Sequence, residues 1–183
     1  MGTLNRQSDL AADPLIKKQR ELVAEHIASE SEGRWEDTYK TFVDGDQSYF
    51  EAIPLNQRFE GQAGIRGFYA SLAAGFPDLR ITTLREGDVP GISYREVRIE
   101  GTHLGEFAGI PGSGRRVAVN LIAVFTFGTG EQVDKLIGET AYWDLNLMLA
   151  QIQGPLTPDR VIAVKTDIIR KNPERTGVEI RPA

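Results

Sequence analysis

The stretch VAVNLIAVFTF, residues 117–127, is the longest strongly apolar part of the chain. At eleven residues it falls well short of the roughly 20 that a membrane-spanning helix needs. Its β-branched and aromatic residues predict instead a buried strand over 116–127. Alternation along this strand gives two apolar faces, one with Val119, Leu121, Ala123 and Phe125 and the other with Ala118, Ile122 and Val124. One face can cover an interior, so we expect the other to contact a second copy of the chain in a homodimer.

Strand patterns separated by glycine turns surround this stretch, and helical patterns lie outside them. Further strands are predicted at 48–53, 79–86, 92–104 and 133–143. Helices are predicted at 14–30, 34–42, 61–76 and 145–153. Three helices, a run of antiparallel strands and a final helix are typical of an α+β domain whose helices gather on one face of a sheet.

Local signals set the limits of the predicted domain. Asp13, which precedes a proline, and Asp144 are typical helix N-caps, so we expect one domain over 14–153. Residues 1–13 are interpreted as a disordered lead-in, and without an apolar signal core they favour a cytoplasmic protein. Residues 154–183 hold four of the nine prolines and six Lys and Arg against four Asp and Glu. We expect this C-terminal extension to pack on the domain or on a partner subunit.

The composition excludes several kinds of site. The 183 residues include 21 Lys and Arg against 26 Asp and Glu, a net charge of −5, so the chain offers no basic surface for nucleic acid. It contains no cysteine, which rules out disulfides, thiolate nucleophiles and cysteine-based metal centres. The two histidines, His26 and His103, are far apart in the sequence. We therefore expect a protein without metal or cofactor that binds neither nucleic acid nor membrane.

Three motifs carry a family resemblance: FPDL (76–79), GTHLGEFAGIPGSGRRV (101–117) and ETAYWDLNLMLAQI (139–152). Together they resemble the SnoaL-like polyketide cyclase family, within the nuclear-transport-factor-2-like superfamily. The resemblance implies a cone-shaped, curved antiparallel sheet with helices packed on its concave face, enclosing a deep apolar pocket. Members bind small, often polycyclic or aromatic molecules there. The characterised cyclases close a ring by an aldol reaction, using acid–base residues without metal or cofactor.

The resemblance also exposes a difference at the family's catalytic position. In the cyclases an aspartate lies on the last strand, three residues before the carboxylate that opens the final helix. That carboxylate is Asp144 here, so the catalytic position is Ala141. Glu139 and Trp143 share a strand face with Ala141, and Glu139 stands where family members have a histidine. In the first strand, Glu51 replaces a polar cavity residue of the family.

Two groups of residues are therefore candidates for the site. The candidates for acid–base catalysis are Glu139, Glu51, His103 and His26, and the candidates for substrate binding are Tyr49, Trp35, Trp143, Tyr142 and Phe68. Each acid–base candidate also has a structural interpretation. Glu139 would then pair with Arg95 or Arg98 across the sheet. His103 would organise the turn that follows its strand, and His26 would be a core histidine on an apolar helix face.

These observations predict a cofactor-free acid–base enzyme that takes a hydrophobic or aromatic, oxygenated small molecule into the pocket. The chemistry would be an aldol-type cyclisation, a retro-aldol cleavage, a dehydration or an isomerisation, each of which needs a base and an acid. An epoxide hydrolase on the same scaffold is one alternative. The other is a non-catalytic module for small-molecule binding or dimerisation, which a pocket lined only by apolar groups would favour.

Overall fold

Residues 13–154, the part of the chain that the computed structural model describes, form four α-helices and six strands. The helices are α1 (Pro14–Ser31), α2 (Trp35–Lys40), α3 (Gly61–Gly75) and α4 (Leu145–Gln153). The strands are β1 (Tyr49–Ala52), β2 (Gln57–Glu60), β3 (Arg80–Val89), β4 (Ile92–Thr102), β5 (Arg116–Phe127) and β6 (Leu136–Trp143). Apart from Asp13 and Gly154, the predicted lead-in and C-terminal extension lie outside the described residues.

The six strands form one curved, unclosed sheet in the order β2-β1-β6-β5-β4-β3. Neighbouring strands are antiparallel, except that β1 and β6 run parallel, with Tyr49 beside Gly138 and Ala52 beside Ala141. The expected α+β fold is therefore present, with one parallel pair in a sheet that was expected to be antiparallel throughout. Because α3 and three long strands separate β1 from β6 in the chain, no tight turn forces these two strands to be antiparallel.

The predicted strand at 48–53 corresponds to the first half of a hairpin. β1 ends at a short 3-10 turn, Ile53–Leu55, and Asn56 follows in the left-handed region with φ 51°, a conformation that asparagine adopts more readily than most residues. The chain then returns as β2, which pairs with β1. The sequence did not predict β2, because four residues are too few to show an alternating pattern.

Both predicted helix caps are present. The Asp13 side chain accepts a hydrogen bond from the Leu15 N–H at 2.8 Å, and the Asp144 side chain accepts one from the Leu147 N–H at 3.0 Å. Asp144 follows β6 directly, so α4 begins at the end of the sheet and buries Met148. No helix within residues 13–154 is long and apolar enough to cross a membrane.

The glycine-rich loop between β4 and β5 joins the sheet to the end of α3. The Gly105 N–H donates to the Gly75 carbonyl at 3.3 Å. A Cβ on Gly105 would lie 2.1 Å from the Ala74 carbonyl oxygen, so a side chain there would force the loop away from α3. Phe107 from the same loop is buried edge-on against Phe76, with ring centroids 5.3 Å apart. The motif that carried the family resemblance therefore closes one end of the interior.

Candidate active site

A pocket opens between the helices and the concave face of the sheet, and it holds about 790 Å³ of empty space, counting its mouth. Most of the wall is apolar, and its aromatic members include Phe50, Phe68, Phe76, Phe107, Phe125 and Trp143. Four polar side chains also line it, namely Glu30, Tyr69, Glu100 and Glu139. The pocket therefore suits an apolar molecule with a few polar groups.

His26 lies behind the polar part of the wall, fully buried and without lining the pocket itself. Its Nδ1 lies 2.8 Å from the Thr41 hydroxyl, and that hydroxyl donates its own proton to the Thr38 carbonyl at 2.6 Å. Because the hydroxyl has only one proton to give, its oxygen accepts from the Nδ1–H of His26. The rings of Phe42 and Phe125 stand edge-on against the imidazole at 5.4 and 5.3 Å. The ring is therefore fixed in orientation, with Nε2 as its other functional atom.

Three polar groups converge on Nε2 of His26. The Oε2 atom of Glu139 lies 3.1 Å away, the Oε1 atom of Glu30 3.2 Å away and the Tyr69 hydroxyl 3.2 Å away. The Tyr69 hydroxyl also donates to Glu139 Oε2 at 2.9 Å. His26 and Glu30 are four residues apart on α1 and so share a helix face, while Tyr69 comes from α3 and Glu139 from β6. These four residues, all buried, are called the acid–base cluster below.

Contacts within the cluster shift the pKa of His26, Glu139 and Tyr69. Burial alone would lower the pKa of His26, but the charges and hydrogen bonds of Glu30 and Glu139 outweigh it and raise that pKa from 6.5 to about 10. Burial and the neighbouring Glu30 raise the pKa of Glu139 above its ordinary range, against the opposing effects of His26 and Tyr69. Burial and the two carboxylates raise the pKa of Tyr69 well above its ordinary value. At neutral pH, His26 is therefore an imidazolium held between two carboxyl groups.

The cluster can also be considered as a metal site. One donor atom from each of His26, Glu30 and Glu139 lies within 4.8 Å of the others, and no other such group of three is found among residues 13–154. Imidazole and carboxylate ligands suit several divalent cations. The hydrogen bonds of protonated His26 explain the same arrangement, because its Nε2–H takes the place of a cation between the carboxylates. The raised pKa of His26 therefore favours a proton between these groups, and their donor set also fits a cation.

One catalytic candidate and two aromatic candidates from the sequence line the pocket, and a second catalytic candidate lies behind its wall. His26 and Glu139 meet in the acid–base cluster, and Phe68 and Trp143 form part of the apolar wall. Phe68 stacks on Phe50 with ring centroids 3.8 Å apart. The arginine pairing considered for Glu139 is absent: Arg95 contacts Asp88 and Glu86, and Arg98 contacts Glu100.

Four other candidates lie away from the pocket wall. β1 buries Phe50 towards the pocket, so Tyr49 and Glu51 lie on its opposite face, where both contact Arg58. Tyr142 is 47% exposed, on the face of β6 opposite to Glu139 and Trp143. Trp35 packs behind the pocket against Tyr69, with ring centroids 5.7 Å apart.

His103 is buried in the glycine-rich loop and does not line the pocket. Its Nδ1 lies 3.2 Å from the Ser113 hydroxyl, and its carbonyl accepts from the Ser113 and Gly114 N–H groups at 3.0 and 2.8 Å. The ring lies against Phe76 at 5.3 Å. These contacts correspond to the interpretation in which His103 organises the loop.

Sequence reasoning missed Glu30 and Tyr69 as site residues. A signal for Glu30 was present, because it lies four positions after His26 on a predicted helix. Tyr69 lies within the helix predicted at 61–76. Nothing in the local sequence indicates that its hydroxyl reaches a residue on β6.

The curved sheet and its helices enclose a mostly apolar pocket with a buried acid–base cluster at its wall. This arrangement is typical of α+β proteins that bind a small molecule. The SnoaL-like polyketide cyclase family model matches residues 21–152, so the chain belongs to that family. The fold is similar to that of a proposed SnoaL-like polyketide cyclase from Jannaschia sp. CCS1, at 24% identity and a TM-score of 0.69, covering 79% of this chain and 97% of that one.

Two further solved structures share the fold. AclR from Streptomyces galilaeus, described as a proposed hydroxylase, is 17% identical with a TM-score of 0.61, covering 74% of this chain and 95% of its own. SalBIII, an epoxide hydrolase/cyclase-like enzyme of pyran ring formation in the polyether salinomycin, is 21% identical with a TM-score of 0.58, covering 70% and 92%. No curated protein matches the chain.

Proposed function

We propose that this protein is a cofactor-free acid–base enzyme acting on a hydrophobic or aromatic, oxygenated small molecule. The observation that carries the proposal is the acid–base cluster, in which a buried His26 contacts two carboxyl groups, Glu30 and Glu139, that line an apolar pocket. Perturbed titratable groups of this kind in a pocket are typical of catalytic sites. An entirely apolar pocket would have favoured a non-catalytic binding module, and this pocket is not entirely apolar.

Glu139 is the proposed base. Burial and the neighbouring Glu30 raise the pKa of Glu139, so this carboxyl group takes up a proton more readily than an ordinary glutamate does. Glu139 removes a proton from a carbon or hydroxyl of the substrate. The Tyr69 hydroxyl, which donates to Glu139 at rest, is then free to donate to the oxyanion that forms. Protonated Glu139 afterwards returns the proton.

This chemistry serves an aldol-type cyclisation, its retro-aldol reverse, a dehydration or an isomerisation. The position of the family's catalytic aspartate is Ala141, which is buried and lines the pocket. Glu139 lies one strand period away on the same face. The Glu139 carboxylate can therefore reach a ligand in this pocket, but from a position one strand period away from that of the family's aspartate.

Epoxide hydrolysis is the second candidate, because two carboxyl groups flank one imidazolium. A protonated carboxyl group donates to the epoxide oxygen while the other removes a proton from the attacking water. The fold shared with SalBIII, itself an epoxide hydrolase/cyclase-like enzyme, adds support. Conversion of styrene oxide to its diol tests this candidate directly.

Proton exchange from a carbonyl probe tests the main proposal. The α-protons of 2-tetralone exchange with deuterium oxide, and proton NMR follows the loss of signal. The protein should accelerate this exchange, and Glu139→Gln should lower the rate by about 10²–10⁴-fold, the usual effect of removing a general base. Glu51→Gln is the matched control, since Glu51 lies on the opposite face of the sheet. Equal rates for wild type and Glu139→Gln would contradict the assignment of Glu139.

A homodimer is the proposed assembly, and a cytoplasmic location remains a prediction. The outer face of the sheet carries Tyr94, Ile122 and Tyr142, which are 44%, 37% and 47% exposed. Tyr94 lies beside Val124, and Ile122 beside Tyr142, in neighbouring strands. This continuous apolar patch over three strands is the surface that a second copy would cover.

A further inference from the structure

Trp143 combines a pocket position with an unused hydrogen-bond donor. It lies on the same face of β6 as Ala141 and Glu139, and all three line the pocket. Its indole Nε1 is buried and has no hydrogen-bond partner. Within residues 13–154 only Arg95 and His103 also have a buried side-chain nitrogen of this kind, and neither lines this pocket.

A buried N–H group without an acceptor costs about 1–3 kcal/mol. A phenylalanine would fill the same wall without that cost, so packing alone does not account for an indole here. The wall to which Trp143 belongs is mostly apolar. An oxygen atom of a bound ligand would therefore accept a hydrogen bond from this N–H group and remove the cost.

The surface between Trp143 and the acid–base cluster is small and apolar. Ala141 separates Trp143 from Glu139 along β6, and Ala123 lies beside Ala141 on β5. Both alanines line the pocket. Their short side chains leave room for the body of a ligand, with an acid–base group at one end and an indole N–H at the other.

Strand geometry sets the length of that ligand. Glu139 and Trp143 are four residues apart, which is roughly 13 Å along a strand. Because the two side chains leave the strand on one face, a ligand that contacts both extends along the strand for more than a single six-membered ring.

We infer that Trp143 orients the substrate by donating its indole N–H to an oxygen at the end of the molecule remote from the acid–base cluster. The inference rests on the proposed function, since it takes the cluster as the reacting end. The preferred substrate then has a flat, apolar body at least two rings long, a reactive oxygen function at one end and an oxygen acceptor at the other. Trp143 is a specificity-determining residue and takes no part in proton transfer.

Three probes isolate the acceptor. The first, 6-methoxy-2-tetralone, carries an ether oxygen remote from its ketone, whereas 6-methyl-2-tetralone has a similar shape without that oxygen, and 2-tetralone has neither group. Calorimetry measures binding, and deuterium exchange measures KM and kcat. Wild type should bind the methoxy compound about 3- to 10-fold more tightly than the methyl compound, the usual effect of one neutral hydrogen bond. The difference should appear in KM rather than kcat.

Trp143→Phe should bind both substituted probes equally and bind the methyl compound as wild type does. Trp35→Phe is the matched control, because Trp35 packs against Tyr69 outside the pocket wall, and it should keep the discrimination. The inference is overturned if Trp143→Phe still binds the methoxy compound more tightly than the methyl compound. It is also overturned if wild type shows no such preference, including by failing to bind the two compounds. A third outcome separates the two proposals: Glu139→Gln exchanges deuterium at the wild-type rate, and the difference in binding between the methoxy and methyl compounds persists. This outcome refutes Glu139 as the base and leaves the role of Trp143 intact.

Discussion

His26 should make the stability of the protein fall as the pH rises above neutrality. Its pKa in the folded protein is about 10, against an ordinary value of 6.5, so between these values the folded state holds a proton that the unfolded state has released. At about 1.4 kcal/mol for each pKa unit, the protonated imidazole contributes on the order of 5 kcal/mol. That stability is complete below pH 6.5 and is lost as the pH rises through about 10.

Glu139 and Tyr69 act in the same direction. The pKa of each is raised in the folded protein, so each keeps a proton at pH values where the unfolded chain has begun to lose it. For Glu139 this effect begins above the ordinary value of 4.5, and for Tyr69 above 10. The decline in stability across the histidine interval is therefore not offset by either neighbour.

Urea unfolding followed by tryptophan fluorescence tests this prediction. Between pH 6.5 and 10, the free energy of unfolding should fall by up to about 1.4 kcal/mol per pH unit. Glu139→Gln should flatten the dependence, because it removes a carboxylate that raises the pKa of His26. Glu51→Gln should keep the wild-type slope. The chain has two histidines, so the ring signals of His26 are readily assigned by NMR and should not titrate near 6.5.

A stability that is constant across this pH interval would refute the reasoning. So would a His26 ring that titrates at its ordinary pKa. Either result would mean that the carboxyl groups of Glu30 and Glu139 do not hold His26 protonated above neutral pH. The base proposed for the reaction would then lack its imidazolium neighbour.

The remaining predictions concern metal and assembly. Deuterium exchange should survive exhaustive treatment with EDTA, because protonated His26 already bridges the carboxylates; loss of exchange that one divalent metal restores would make His26, Glu30 and Glu139 metal ligands. Light scattering at micromolar concentration should give twice the chain mass of 20.2 kDa. Ile122→Asp, on the outer face of the sheet, should give a folded monomer, and a monomeric wild type would contradict the dimer.

The sequence determined the elements that depend on local chemistry. Residues 116–127 formed a strand because they are β-branched and apolar, and Asp13 and Asp144 cap helices because their side chains meet the N–H groups two or three residues on. The alternation along β6 placed Glu139 and Trp143 on one face, and both line the pocket. These inferences need only neighbours in the chain, so the sequence contains them.

Only the tertiary structure decided which groups meet across elements. Alternation along β1 puts Tyr49 and Glu51 on one face, but it does not decide which face that is. The parallel pairing of Phe50 with Glu139 turns both residues away from the pocket. Glu30 and Tyr69 gained their roles because α1 and α3 bring them to the same ring nitrogen of His26. A hydrogen bond between residues 43 or 113 positions apart depends on how helices pack over a sheet, which no local pattern specifies.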